Sequence, residues 1–305
     1  MAFPLPRPVS KGSRLAIIAP AGPFNEELFR LGIAWLEERY EVIYSDDIFD
    51  GCGYLAGTDE RRLCELTGAI LDPDIDAIVC VRGGFGATRL LPDLDPDAVR
   101  KANKMIVGFS DITALHAVWA RAGVRSLHAP MVAALGKASP ALRDLWVDTL
   151  EDPGKYRNWC LEPLGFGGDE SVTGILTGGN LAVLGSLIGT PYTPPLDDAI
   201  LFIEDVGERP YRVDRMLTTM SQAGWFRRIR GLVIGSFTEG DPGPDGVSID
   251  EVLAKHFEKV DFPVLTGFPA GHIDENEPIP FGATATIQGF ALEVGGDSID
   301  LDRFT

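Results

Sequence analysis

The 305-residue chain carries 27 Lys and Arg against 45 Asp and Glu, a formal net charge of −18, with 45% hydrophobic and 24% charged residues. That balance suits a soluble globular protein large enough for one big core or two moderate ones, and it excludes intrinsic disorder. So strong an acidic excess repels phosphate backbones and anionic membrane surfaces, which argues against nucleic acid or membrane as partner.

The first residues, Met1 to Pro8, are interrupted by three prolines and hold no apolar run of signal-peptide length. No later stretch reaches the roughly 20 apolar residues of a membrane-crossing helix. The four cysteines, Cys52, Cys64, Cys80 and Cys160, lack Cys-x-x-Cys pairing, and Cys80 sits in the apolar run 77–81, so free thiols in a cytoplasmic protein are expected.

From residue 14 the pattern alternates. Strand-like runs at 14–19, 41–44, 77–81, 104–108 and 126–129 are separated by amphipathic helical runs at 25–40, 58–71, 96–102 and 111–123. Such alternation predicts parallel strands joined by helical crossovers, with ligands at the carboxyl ends of the strands. Three of those ends are turn-rich: Pro20-Ala21-Gly22-Pro23, Arg82-Gly83-Gly84-Phe85-Gly86, and Ser110 after Met105-Ile106-Val107-Gly108-Phe109. They are expected to form one site.

After a helix at 140–150, the chain becomes rich in Pro, Gly and charge between about 137 and 172. Beyond it the rhythm changes, with strands expected at 199–203, 232–236, 283–287, 291–294 and 298–301 and helices at 180–187, 211–223 and 249–259. The fold class read from this is α/β: an N-terminal parallel-sheet, flavodoxin-like domain (residues 1–150), a linker (151–171) and a smaller C-terminal mixed-sheet α/β domain (172–305).

Ser110 lies at a sharp strand-to-helix turn, where a hydroxyl is presented beside the first free N–H groups of a helix. The Gly83-Gly84 turn can point backbone N–H groups into the cleft, so the N–H groups of Gly84 and Asp111 are the candidate oxyanion donors. The loop matches neither a dinucleotide fingerprint nor a Walker loop, which leaves a nucleotide without support.

Four histidines compete as base. His116 reads as a helix residue, His256 as part of a solvated helix, and His128 as a residue at a strand end that lines the cleft. His272, in the polar loop 271–278, is the preferred candidate. A base of this kind needs a carboxylate to orient it. Glu204, directly after the apolar strand 199–203, is the candidate, with Asp205 and Glu208 close alternatives by position. Metal-ligand spacing is missing, and no cofactor is expected.

These blocks, in this order, resemble the LD-carboxypeptidase family of serine peptidases, the murein tetrapeptide carboxypeptidase and microcin C immunity type. The resemblance runs from Gly12 nearly to the C-terminus. It is carried by residues 12–22, by Val81-Arg82-Gly83-Gly84-Phe85-Gly86 with Arg89-Leu90-Leu91-Pro92, and by Gly108-Phe109-Ser110-Asp111-Ile112-Thr113. Thr177-Gly178-Gly179-Asn180-Leu181, Glu204-Asp205 with Pro210-Tyr211 and Asp214, and Gly271-His272 with Asn276, Pro280 and Gly282 complete it.

The resemblance implies Ser110 as nucleophile, Glu204 as orienting acid and His272 as base. It also implies a small murein peptide as substrate, cleaved before a C-terminal D-amino acid, and a homodimer. An exopeptidase has to bind the terminal carboxylate, and Arg82 or Arg89, beside Phe85, is the candidate clamp, with a structural ion pair the alternative for either arginine. Phe85 stands where the family often has tyrosine, and Ala129 where glycine is common before Pro130-Met131. The turn at Ser110 lacks the second glycine of Gly-x-Ser-x-Gly, which argues against an α/β-hydrolase fold. The alternatives are a peptidase that detoxifies a peptidyl-nucleotide of the microcin C type and a non-catalytic binder of small anions.

Overall fold

The computed structural model describes residues 2–164 and 171–296. The first half forms five parallel strands, β1 (Arg14–Ile18), β2 (Glu41–Ile43), β3 (Ala77–Cys80), β4 (Met105–Gly108) and β5 (Ser126–His128), in spatial order 2-1-3-4-5. That is the flavodoxin-like order, with its switch point between β1 and β3. Side chains alternate between two buried faces. Ile78 and Cys80 of β3 join the core under the helices Asp59–Leu71, Pro96–Ala102 and Thr113–Ala122, while Ala77 and Val79 join the core that holds Phe29, Trp146 and Leu150 from the opposite helices.

Helix boundaries follow local chemistry. Asn25, Thr58 and Ser139 cap their helices by accepting from N–H groups three residues on, at 3.0, 3.2 and 3.1 Å. Gly123, at φ +70°, ends the helix that follows Ser110.

The second half contributes β6 (Arg157–Cys160), β7 (Glu162–Pro163), β8 (Val172–Asn180), β9 (Ala199–Val206), β10 (Gly231–Thr238), β11 (Val264–Thr266), β12 (Ile279–Phe281), β13 (Thr284–Gln288) and β14 (Ala291–Val294). Strands β8 to β11 run parallel and β13 and β14 antiparallel, giving the mixed sheet. The stretch read from sequence as a linker carries β6 and β7. They are one extended run, separated only by Leu161, and they pair with opposite edges of the sheet, β6 with β14 and β7 with β11. The sheet therefore closes on itself around Leu176, Phe202, Val233, Phe268, Ile287 and Leu292. Outside it, Leu201, Ile203, Leu232 and Ile234 pack beneath the helices Pro210–Gln222 and Ile249–Phe257.

Strand β12 leaves this half altogether. It pairs antiparallel with β5, Ile279 opposite His128 and Phe281 opposite Ser126, and becomes the sixth strand of the first sheet. The strand expected at 298–301 and the glycine-rich stretch 165–170 lie outside the described residues. Among the described residues no helix is long and apolar enough to cross a membrane.

His128 corrects an expectation. It is fully buried at the end of β5 rather than lining a cleft, ringed by Phe109, His116, Phe202 and Phe281 at 5.2–6.2 Å between ring centres, and neither ring nitrogen has a partner among the described residues. Burial, then the neighbouring His116 and His272, hold its pKa well below the usual 6.5. The unfolded chain binds a proton that the folded chain refuses, so this group's contribution to stability is lost as pH falls below its unfolded value. His128→Leu should be more stable than the parent at neutral pH, since no orphan nitrogens remain. Its advantage should widen below pH 6.5 by up to about 1.4 kcal/mol per pH unit. Urea titrations of both proteins at pH 7.5 and 5.0 check this; an unchanged difference would refute it.

Candidate active site

Ser110 follows β4 after one residue and starts a short 3-10 turn leading into the helix Thr113–Ala122. Its φ is +62°, a left-handed conformation that an L-serine adopts only under restraint. Gly83 lets the neighbouring loop approach this serine: a Cβ there would stand 2.9 Å from Ser110 Cβ and 3.1 Å from its Oγ. Gly22 N donates to Gly83 O at 2.9 Å, and a Cβ on Gly84, at φ +103°, would meet Gly22 Cα at 3.1 Å. The loops after β1 and β3 thus meet backbone to backbone, and the Ser110 side chain from the loop after β4 lies against Gly83.

The glycine loop is held from below. The Asp111 carboxylate accepts from Ala87 N at 2.8 Å, and the buried Arg62 donates to Gly86 O at 2.9 Å, to Pro20 O and to Asp59. Burial, outweighing the Ala87 and Gly86 N–H donors and Arg62, pushes the Asp111 carboxyl up to about 6.

From the other half comes His272. Its Nε2 lies 3.0 Å from Ser110 Oγ and its Nδ1 2.8 Å from Glu204 Oε2. Glu204 continues the inward row of Ile200 and Phe202 along β9, which runs on to Val206 rather than ending at 203, and is 0% exposed, its Oε1 without a partner among the described residues. Gly271, at φ +127°, lets the chain pass Glu204, since a Cβ there would sit 3.1 Å from Oε2. Asn276 Oδ1 accepts from Gly271 N at 2.9 Å, and the Phe109 ring backs the imidazole at 4.9 Å. With Nδ1–H donating to the carboxylate, Nε2 carries the lone pair that accepts the serine proton, an arrangement able to activate a hydroxyl.

The remaining candidates fall elsewhere. Arg82 donates to Pro23 O at 2.7 Å, and Arg89 is engaged by Asp59 at 2.9 and 2.5 Å. Phe85 is exposed at the rim, its ring 5.9 Å from that of Tyr54. Of the two position alternatives to Glu204, Asp205 is buried and bonds to Asn180, and Glu208 pairs with Arg212 at 3.4 Å. His256 is half-buried against Asp214 at 2.8 Å rather than solvated, and His116 is buried with Nε2 2.8 Å from Gly108 O.

A cavity of about 480 Å³, walled by Phe109, Pro130, Lys137, Ser139, Ile273 and Asn276, adjoins the residues next to Ser110 and His272. A larger hollow of about 670 Å³ along the helix Asp59–Leu71 touches none of the three. Among the described residues no group of His, Cys, Asp and Glu is placed to hold a metal.

Residues 15–129 match the model of the LD-carboxypeptidase N-terminal domain, and residues 173–287 that of its C-terminal domain. The chain belongs to the LD-carboxypeptidase family. A putative carboxypeptidase of Synechocystis sp. is 35% identical over 296 residues, 95% of this chain and 96% of that one. The murein tetrapeptide carboxypeptidase of Pseudomonas aeruginosa is 31% identical over 292 residues, 92% of this chain and 94% of that one. The crystal structure of muramoyltetrapeptide carboxypeptidase from Oxalobacter formigenes superposes with a TM-score of 0.84 at 31% identity, covering 93% of this chain and 99% of that one. This LD-carboxypeptidase is accordingly a hydrolase of the serine type.

Of the Gly83-Gly84 pair, sequence reasoning chose Gly84 as the donor and gave no separate part to Gly83, the glycine that lies against Ser110. A pair of adjacent glycines after a strand was the available signal, and only the approach distance separates their roles. The backbone strain at Ser110 is testable without any substrate. Ser110→Ala and Ser110→Gly both lose the hydroxyl, but only glycine relaxes at positive φ, so the glycine variant should be the more stable by about 1 kcal/mol. Equal urea midpoints for the two would remove the strain from the account.

Proposed function

We propose that the chain hydrolyses the bond before a C-terminal D-amino acid in a murein-type tetrapeptide, with Ser110 as nucleophile, His272 as general base and Glu204 as orienting acid. The observation that carries this reading is the continuous line Ser110 Oγ, His272 Nε2 at 3.0 Å, and Glu204 Oε2 at 2.8 Å from Nδ1. His272 takes the hydroxyl proton as Ser110 attacks the scissile carbonyl, and the carboxylate steadies the imidazolium that forms. The N–H groups of Gly84 and Asp111 receive the oxyanion. The same proton then goes to the departing amine, and water, activated by His272, releases the acyl chain from Ser110.

The tetrapeptide substrate is supported by the names of the relatives in Pseudomonas aeruginosa and Oxalobacter formigenes. A cytoplasmic setting is supported by four free cysteines, three of them exposed. The bidentate Asp59 partner of Arg89 favours Arg82, whose one bond goes to a backbone carbonyl, as the cation available to a terminal carboxylate.

Incubation with purified tetrapeptide and with its L-alanine-terminated analogue, followed by mass measurement, tests the reaction. Release of the terminal residue from the D-form alone is expected. Ser110→Ala should lose at least about a thousandfold in kcat while keeping the parent's circular dichroism. Equal cleavage of both peptides would refute the stereochemistry, and full turnover by Ser110→Ala the nucleophile.

A further inference from the structure

Ser110 stands at the end of the first sheet, whereas Glu204 and His272 belong to segments of the second half. A hydrogen bond between two such supports keeps its length only if the distance between the supports is itself fixed. A second connection joins the same two supports. Thr113 lies one turn beyond Ser110, 0% exposed, and its Oγ1 accepts from the backbone N–H of Asn180, the last residue of β8, at 2.9 Å. Asn180 Nδ2 donates to Asp205 Oδ1 at 3.0 Å, and Asp205 is the residue next to Glu204 on β9.

Each member is locked in turn. Asn180 Oδ1 accepts from Val183 N at 3.1 Å, capping the helix Leu181–Ser186, and Asp205 also accepts from Ala182 N and Val206 N at 2.9 and 2.8 Å. The approach depends on Gly179, at φ +134°: a Cβ there would stand 2.3 Å from Thr113 Oγ1. The path Ser110, Thr113, Asn180, Asp205, Glu204, His272 returns to Ser110 through two chain segments and four hydrogen bonds, and so forms a closed circuit across the interface.

We propose that Thr113, acting through Asn180 and Asp205, is a positioning residue that sets Ser110 against His272 and Glu204. The inference rests on the reading of Ser110 as nucleophile. Thr113 has no part in the proposed bond-making steps. Its loss should leave substrate binding largely as it was and slow the reaction of the serine, because a shift of a fraction of an ångström between nucleophile and base costs rate rather than affinity.

The test compares the full-length parent with Thr113→Val, which keeps the shape and deletes the acceptor, Thr113→Ser, which restores it, and Gly179→Ala, which spreads the interface with Thr113 intact. Three quantities are read: the rate of Ser110 phosphonylation by a fluorophosphonate probe, kcat and KM on the tetrapeptide, and the melting temperature. The valine variant should lose roughly tenfold or more in both phosphonylation rate and kcat. Its KM should stay within about twofold of the parent. Serine should recover most of the loss, and Gly179→Ala should reproduce it. Labelling of Thr113→Val at the parent's rate overturns the inference, as does a serine variant as slow as valine, or losses that follow the melting temperatures. A parent that is not labelled at Ser110 at all refutes the nucleophile reading, and the inference with it.

Discussion

The arrangement depends on one constraint: a carboxylate with no exposure, Glu204, has to be matched by a single imidazole from a loop 68 residues later in the chain. A buried charge left without a partner is costly, so the fold cannot place Glu204 where it does without also placing His272. The closed sheet supplies the wall from which Glu204 projects, and Gly271 supplies the clearance. Ser110 completes the line from the other sheet, held in a conformation it would not choose for itself. The strain on one side and the desolvated carboxylate on the other are two costs met by the same contact surface.

Two further buried carboxyls brace that surface. Asp111 anchors the glycine loop and Asp205 anchors the turn at Asn180. Burial pushes each up to about 6, in Asp205 with a smaller contribution from the neighbouring Glu204 charge. A carboxyl whose pKa is raised on folding favours the folded state most when protonated, and that advantage is lost as pH rises from its unfolded value toward 6. Near neutral pH both therefore stand ionised against their own burial. The backbone N–H groups of Ala87, Ala182 and Val206 offset the cost and make the two carboxylates rigid acceptors.

Much of the first sheet was legible, because each of its five parallel strands is an apolar run set off by an amphipathic helix. Ser110, Glu204 and His272 were each candidates by position among several rivals, and the resemblance to the LD-carboxypeptidase family joined the three. What escaped was whatever depends on pairing at a distance. Strands β11 and β12 are as short as β2 and β5 but are followed by no helix that would set them off, and β12 reads like the rest of a proline-containing loop. Strand β8 hides its role because it ends in glycines, chosen for close approach to Thr113 and Phe202 and not for strand propensity. His128 carries no local sign of its burial, which is set by β12 arriving from the far end of the chain. For Arg89 the ion-pair alternative holds, and only its partner was hidden, since Asp59 lies in a helix 30 residues earlier.

The placement of β12 has a consequence for how such a protein can be inherited. His272 sits in a loop whose upstream anchor, β11, belongs to the closed sheet and whose downstream anchor, β12, is laid along β5. A gene divided between the halves would yield a first fragment with an unpaired edge at β5 and a second with a strand that has no sheet to join. Neither piece would be a finished module. Exchange of halves between distant relatives would have to preserve the match of β12 to a foreign β5.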